Sequence, residues 1–142
     1  MTQKRIIAIL IAAFFFSSFS FAQEKNQTPE RISQEVAENW ILFLDQQKYA
    51  ESWEKLSPNT KVKLEKRQWE LAMLGMRKPL GKLKIRKLDK VEYIKSLKGY
   101  PDQEGGIVTF DSSFEGKASV RETVGTIHDK DGKWRVVAYL TN

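Results

Sequence analysis

Glu122 is the side chain whose place in the sequence could most directly support chemistry. It alternates with Val120 and Val124, so the three residues share one face of a predicted strand. If that face is the core, the carboxylate is buried and must find a cation or take up a proton. With Tyr93 or Tyr139 as an oxyanion donor, Glu122 could serve as the general base of an isomerase or dehydratase. The alternative, which we favour, is a structural ion pair.

His128 is the only histidine of the chain and precedes a turn at Asp129–Gly132. The neighbouring carboxylates could suggest a metal site or an acid–base pair, but no second imidazole exists to share a metal. Ser112 and Ser113 lack the spaced histidine and acid of a hydrolase. Cysteine is absent, and no zinc, calcium or phosphate-loop motif is present. The sequence therefore predicts no catalytic residue, no metal and no cofactor.

Helical spacing of apolar residues predicts three helices in the first half of the chain. Thr28 caps the first helix, Pro29 takes its first position, and the apolar stripe runs to about Gln47. A short second helix ends at Ser57–Pro58, because the residue before a proline disfavours helical geometry. The third helix lies within residues 60–77, and its best-spaced apolar residues are Val62, Trp69, Ala72, Met73 and Met76.

After Gly81 the pattern changes to the alternation typical of half-buried strands. Val91 is out of phase with Leu88, which predicts a bulge in a long first strand. The dipeptide Asp131–Gly132 is a strong turn signal and predicts a hairpin between the last two strands. The second, third and fourth strands are predicted at residues 107–114, 118–128 and 134–140.

Helices followed by four consecutive strands predict an α+β domain, with N-terminal helices packed on one curved, four-stranded antiparallel sheet. A bent sheet over a long amphipathic helix encloses a concavity. The expected shape is a cone like those of nuclear transport factor and ketosteroid isomerase relatives. An open edge strand in such a sheet also leaves room for a homodimer.

The first 22 residues read as an export signal. Lys4 and Arg5 precede an apolar run over residues 6–16, and the small residues Ser20 and Ala22 favour cleavage after Ala22. The run is shorter than the roughly 20 residues needed to span a bilayer, so we expect no transmembrane segment in the mature chain. No cysteine follows to accept a lipid. The predicted location is the periplasm or the outside of the cell.

Cleavage would leave a flexible lead over residues 23–29 and one α+β domain over residues 30–142. Without Lys4 and Arg5, the mature chain carries 22 of the 24 basic residues and all 18 acidic ones, so its net charge falls from +6 to +4. Its basic residues are not interleaved with stacking aromatics, and an exported protein meets little nucleic acid. We therefore expect a small ligand or an envelope protein as partner, and no nucleic acid.

Basic residues concentrate between Arg77 and Lys98, a segment that contains nine of them and only two acidic residues, Asp89 and Glu92. Such a patch could attract anionic envelope polymers or an acidic partner. The alternative, which we favour, is a solvated strand whose lysines discourage edge-to-edge pairing. The candidate patch comprises Lys82, Lys84, Arg86, Lys87 and Lys90.

Several stretches match a known family in order and spacing: residues 40–45 with Tyr49 and Trp53, Trp69, residues 77–81, Arg86, residues 99–102, 110–114, 122–124, and 134–136 with Tyr139. Together they resemble domain-of-unknown-function family 4019, exported bacterial proteins without an established activity. The resemblance covers nearly the whole mature chain. It implies that Arg77 and Arg86 are the partners of Glu122, in an ion pair that would hold the end of the third helix to the sheet.

The sequence thus predicts an exported envelope protein that binds a small ligand or a protein partner without catalysis. Two alternatives stay open. One is an isomerase- or dehydratase-like enzyme built on Glu122 in a cone pocket. The other is an electrostatic binder of anionic envelope surfaces.

Overall fold

A computed structural model describes residues 27–142, so the predicted signal peptide and residues 23–26 of the predicted lead lie outside the described residues. The helices are α1 (Pro29–Asp45), α2 (Tyr49–Glu54), α3 (Pro58–Lys61) and α4 (Lys66–Arg77), followed by a 3-10 turn at Lys78–Leu80. The strands are β1 (Leu83–Ile94), β2 (Gly105–Phe114), β3 (Lys117–His128) and β4 (Trp134–Thr141). The predicted α+β class is confirmed. No helix within residues 27–142 has the length and apolar character needed to cross a membrane.

Helix α1 begins as its capping sequence predicts. The Thr28 hydroxyl accepts a hydrogen bond from the backbone N–H of Arg31 at 3.3 Å, and Pro29 is the first helical residue. Pro29, the last residue of the predicted lead, is therefore part of the helix. The face that α1 buries includes Trp40 and Leu44, and the helix contacts all four strands. It is the main support of the sheet.

The region predicted as a third helix contains two helices. Ser57 caps the single turn of α3, and α4 starts separately with a capping box between Glu65 and Gln68. Val62, included for its helical spacing in the third predicted helix, falls between the two helices and is 82% exposed. Ala72 is also exposed, whereas Trp69 and Met73 of the same set are buried.

The sheet has the order β1-β2-β3-β4 with antiparallel neighbours throughout. The predicted bulge in β1 is confirmed by a shift of register between Leu88 and Lys90. The outer side of β4 is partly covered, because the Ser57 N–H donates to Val136 O at 2.8 Å and the Thr60 hydroxyl donates to Val137 O at 2.9 Å. The opposite edge of the sheet is β1, which carries Lys84, Lys87 and Lys90 of the candidate patch, and Lys82 directly precedes it.

The core lies between α1, α4 and the inner face of the sheet. Trp40 packs against Trp69 and Tyr139, with ring centroids about 6 Å apart in both pairs. The Trp40 indole N–H donates to the Ser52 carbonyl at 3.0 Å, and the Trp69 indole N–H donates to the Ser52 hydroxyl at 2.9 Å. These tryptophans are structural. Trp134, at the start of β4, is only half-buried.

Candidate functional site

Both carboxylate oxygens of Glu122 are held by donors from other strands, and the residue has no exposed surface. Its Oε1 accepts from Arg86 Nε at 2.8 Å and from the Ser112 hydroxyl at 2.5 Å. Its Oε2 accepts from Arg86 Nη2 at 3.1 Å and from the Tyr139 hydroxyl at 2.6 Å. Strands β1, β2, β3 and β4 each contribute one residue to this arrangement.

Asp45 at the end of α1 extends the arrangement toward the helices. Its Oδ2 accepts from Arg86 Nη1 at 2.7 Å, and its Oδ1 accepts from Arg77 Nη2, at the end of α4, at 2.7 Å. Arg77 Nη1 lies 3.6 Å from Glu122 Oε2. Two arginines and two carboxylates therefore form a charge-balanced cluster, which we call the buried ion network: Asp45, Arg77, Arg86 and Glu122, with Ser112 and Tyr139.

The network ties the C-terminal ends of α1 and α4 to the strand β1. A carboxylate at a helix C-terminus opposes the helix dipole, so Asp45 needs a cation at the end of α1. Burial raises the pKa of Asp45, but the hydrogen bonds from Arg86 and Arg77 outweigh burial and hold that pKa below its ordinary value. Arg77 joins α4 to the same carboxylate, and Arg86 joins β1 to it.

The geometry does not suit Glu122 for proton abstraction. Arg86, Ser112 and Tyr139 together donate two hydrogen bonds to each of its oxygens, so neither oxygen is free to accept a proton from a substrate. Burial, together with the negative charge of Glu122, raises the pKa of Tyr139, so the phenol keeps its proton and donates to the carboxylate. A substrate would also have to displace Arg86 to reach Glu122. The arrangement is that of an internal ion pair.

Tyr93 lies away from this network and forms a second cluster. Its hydroxyl donates to Glu104 Oε2 at 2.6 Å, and Glu104 Oε1 lies 2.8 Å from His128 Nδ1. The His128 ring stacks on Trp134 with centroids 5.1 Å apart and planes 6° apart. The prediction that Tyr93 could serve Glu122 was therefore wrong. Tyr93 pairs with Gly106 in the register of the sheet, whereas Arg86 pairs with Ser112.

The candidate patch of basic residues divides into two groups. Lys82, Lys84, Lys87 and Lys90 are exposed, but the side chain of Arg86 is only 10% exposed and belongs to the buried ion network. Placing Arg86 on an exposed patch was wrong, because its inward parity on β1 directs it to Glu122. Two of the remaining lysines have acidic neighbours: Lys90 lies 3.2 Å from Glu92, and Lys87 is opposite Asp111 in the sheet.

A groove of about 470 Å³ runs between the helices and β4. Half-buried Trp134 and Phe43 supply aromatic surface, and the more deeply buried Trp40 and Val136 line its floor. Its volume falls in the range of small-molecule sites. We call it the aromatic groove, defined by Val36, Asn39, Trp40, Phe43, Glu54, Lys55, Lys133, Trp134, Arg135 and Val136.

Comparison with known proteins identifies the family. The family model described as a protein of unknown function (DUF4019) matches residues 36–139, most of the chain. The chain belongs to DUF4019. Searches of curated proteins and of solved structures found no significant match. The match begins within α1 and ends at Tyr139, so it includes every member of the buried ion network, the strands β1 to β3 and most of β4.

Three residues of these clusters were not assigned to them from the sequence, and Ser112 was considered only as a hydrolase nucleophile. Asp45 completes the network. The only sequence signal for it was its position at the end of the α1 apolar stripe, inside a stretch that resembles DUF4019. Ser112 alternates with the buried Phe110 and Phe114, so its parity alone places it on the inner face of β2. Glu104 lies in a loop before β2, and its contact with His128 depends on tertiary structure that no local pattern encodes.

Proposed function

We propose that this protein is an exported, non-enzymatic binding module that holds a small, largely apolar ligand in the aromatic groove. The observation that carries the proposal is the incomplete burial of Trp134 and Phe43, which face one cavity from β4 and α1. Apolar cavities with a few polar groups at the rim are the usual form of small-molecule sites. Here the polar groups come from Asn39, Glu54, Lys55, Lys133 and Arg135, beside five apolar lining residues.

The proposal includes a cone of the nuclear transport factor and ketosteroid isomerase kind. Two features support it: α1 contacts all four strands, and register shifts occur along the sheet, including the one between Leu88 and Lys90. Register shifts of this type bend strands. In a cone, the ligand site lies between the helix and the concave face of the sheet. Here core side chains occupy that space, and the aromatic groove lies beside it, with Trp40 and Val136 belonging to both.

A catalytic role for Glu122 receives no support from the geometry, because arginine, tyrosine and serine donors hold both of its oxygens. Binding of anionic surfaces by the exposed lysines receives less support, since Lys90 pairs with Glu92 and Lys87 lies opposite Asp111. Export rests on the first 22 residues of the sequence, which have the basic start, apolar run and small cleavage-site residues of a signal peptide.

The groove can be tested with a neutral fluorescent probe, N-phenyl-1-naphthylamine, added to the folded mature protein. We expect saturable enhancement of probe fluorescence and about tenfold weaker binding by Trp134→Ala, which corresponds to about 1.4 kcal/mol. Leu140→Ala is the matched control, because Leu140 lies on the same strand but is 63% exposed and outside the groove. Equal affinity of the wild type and Trp134→Ala, or no saturable binding, would overturn the assignment.

A further inference from the structure

A second cavity, of about 320 Å³, opens at the helix side of the buried ion network. It lies where α1 and α4 both end, and the turn between β2 and β3 closes its far side through Glu115. Asp45 and Arg77 form its inner wall, and Gln47 and Tyr49 border it from the connection between α1 and α2. We call this cavity the helix-end cleft. It shares no residue with the aromatic groove.

The backbone at Gln47 is strained where it borders the helix-end cleft. Helix α1 ends in a Schellman motif: the Gln47 N–H donates to Leu44 O at 3.0 Å, and the Lys48 N–H donates to Phe43 O at 2.8 Å. This motif places Gln47 at φ = 57°, a left-handed conformation that glycine adopts without steric cost and glutamine does not. A strained residue beside a cavity points to a role for its side chain there.

Positive charge exceeds negative charge around the cleft. Arg77, Lys78 and Lys82 border it, against the carboxylates of Asp45 and Glu115. Within the part of the chain that the structure describes, Lys78 and Lys82 make no ion pair. Arg77 is only 5% exposed, and its buried Nε has no hydrogen-bond partner among those residues. Because Nε has no accessible surface and Arg77 Nη2 already donates to Asp45, the charges free to attract an anion are those of Lys78 and Lys82.

We propose that the helix-end cleft binds the carboxylate or phosphate group of a small ligand. Lys78 and Lys82 supply the positive charge, and the Gln47 amide and the Tyr49 hydroxyl supply hydrogen bonds to the polar remainder of the ligand. In this proposal, Gln47 rather than glycine occupies the left-handed position because the glutamine side chain contributes to binding. This site is independent of the aromatic groove, so either can exist without the other.

The first test is calorimetric titration of the mature protein with inorganic phosphate and, separately, with succinate. We expect saturable binding of at least one probe, and the preferred probe tells phosphate from carboxylate recognition. Lys78→Ala and Lys82→Ala should each weaken binding at least about fivefold, since each removes one of the two cations that have no ion pair. Lys84→Ala is the matched control, because Lys84 is exposed on β1 and lies outside the cleft. Mutation of Arg77 is avoided because it would break the buried ion network.

The second test separates binding from stability at one residue. Gln47→Gly should raise the melting temperature by about 3 °C, because it relieves the left-handed strain, and should weaken binding of the same probe. A merely structural glutamine would gain stability without any loss of affinity. The proposal is overturned if neither probe binds saturably, if Lys84→Ala weakens binding as much as Lys82→Ala, or if Gln47→Gly binds as tightly as the wild type. Trp134→Ala should leave probe binding unchanged.

Discussion

Arg86 holds Glu122 through two parallel hydrogen bonds, from Nε to Oε1 at 2.8 Å and from Nη2 to Oε2 at 3.1 Å. This fork joins the edge strand β1 to the inner strand β3. The two strands are not neighbours, since β2 lies between them in the sheet. The same guanidinium also reaches Asp45, at the end of α1. One side chain therefore connects the sheet to the helix layer, and the stability of the domain should depend on it.

Replacement of Glu122 by glutamine should destabilise the fold rather than abolish an activity. The variant leaves Arg77 and Arg86 with one carboxylate instead of two, so a buried positive charge becomes uncompensated. We expect the free energy of unfolding to fall by about 3 kcal/mol or more. Urea denaturation of the mature protein measures this change. Glu92→Gln, at an exposed glutamate paired with Lys90, should cost less than about 1 kcal/mol; similar losses in the two variants would contradict the structural role.

Replacement of Arg86 by lysine tests whether geometry, and not charge alone, matters in the network. Lysine keeps the positive charge but cannot bridge Asp45 and Glu122 with parallel hydrogen bonds. We expect a loss of about 2 kcal/mol in the free energy of unfolding, because bonds to both carboxylates are lost. Lys84→Arg provides the exposed comparison on the same strand. A neutral effect of Arg86→Lys would mean that a point charge suffices.

Asp45 should make stability depend on pH in the acid range. Its pKa is lowered in the folded state, so the ionised carboxylate stabilises the fold above its ordinary pKa of 3.8, and this contribution is lost as the pH falls through the lowered folded pKa. The difference in unfolding free energy between the wild type and Asp45→Asn should therefore be largest above about pH 4 and should shrink toward pH 2. Thermal unfolding across this range measures it. A difference that stays constant down to pH 2 would exclude the ionised carboxylate as the cause.

The N-terminal sequence makes a prediction about processing. Expression of the full chain in a bacterial host should yield a mature protein that begins at Gln23 and is released with the periplasmic or extracellular fraction. Intact-mass measurement of that protein, with Lys4→Glu and Arg5→Glu as a variant pair that removes the basic start, checks it. Full-length protein in the soluble cell interior would show that the segment does not direct export.

Local patterns in the sequence were sufficient for most of the architecture. The period change after Gly81, the phase slip at Leu88 and the Asp131–Gly132 turn are encoded within a few residues, and the structure has the strands and the bulge that they predict. The division of the third predicted helix was missed because helical spacing alone cannot show where a new cap begins. Glu65 starts α4 through its contact with Gln68, and Val62 is left exposed before it.

The site was less accessible from the sequence because its members meet through tertiary contacts. Glu122 could be placed on the inner face from its alternation with valines, and the family resemblance implied its two arginines. Asp45 was not identified as the residue that completes the charge balance, since a carboxylate at a helix end looks like ordinary surface. The separation of Tyr93 from Glu122 follows from the register of β1, which no local pattern specifies.

The most direct test of the account is native mass spectrometry of the mature protein isolated from the envelope of its own host, in parallel with Trp134→Ala and Leu140→Ala. The account predicts an added mass on the wild type that is released on unfolding, is retained by Leu140→Ala and is lost from Trp134→Ala. Wild-type protein with no added mass, or an added mass that Trp134→Ala keeps in full, would contradict a ligand in the aromatic groove.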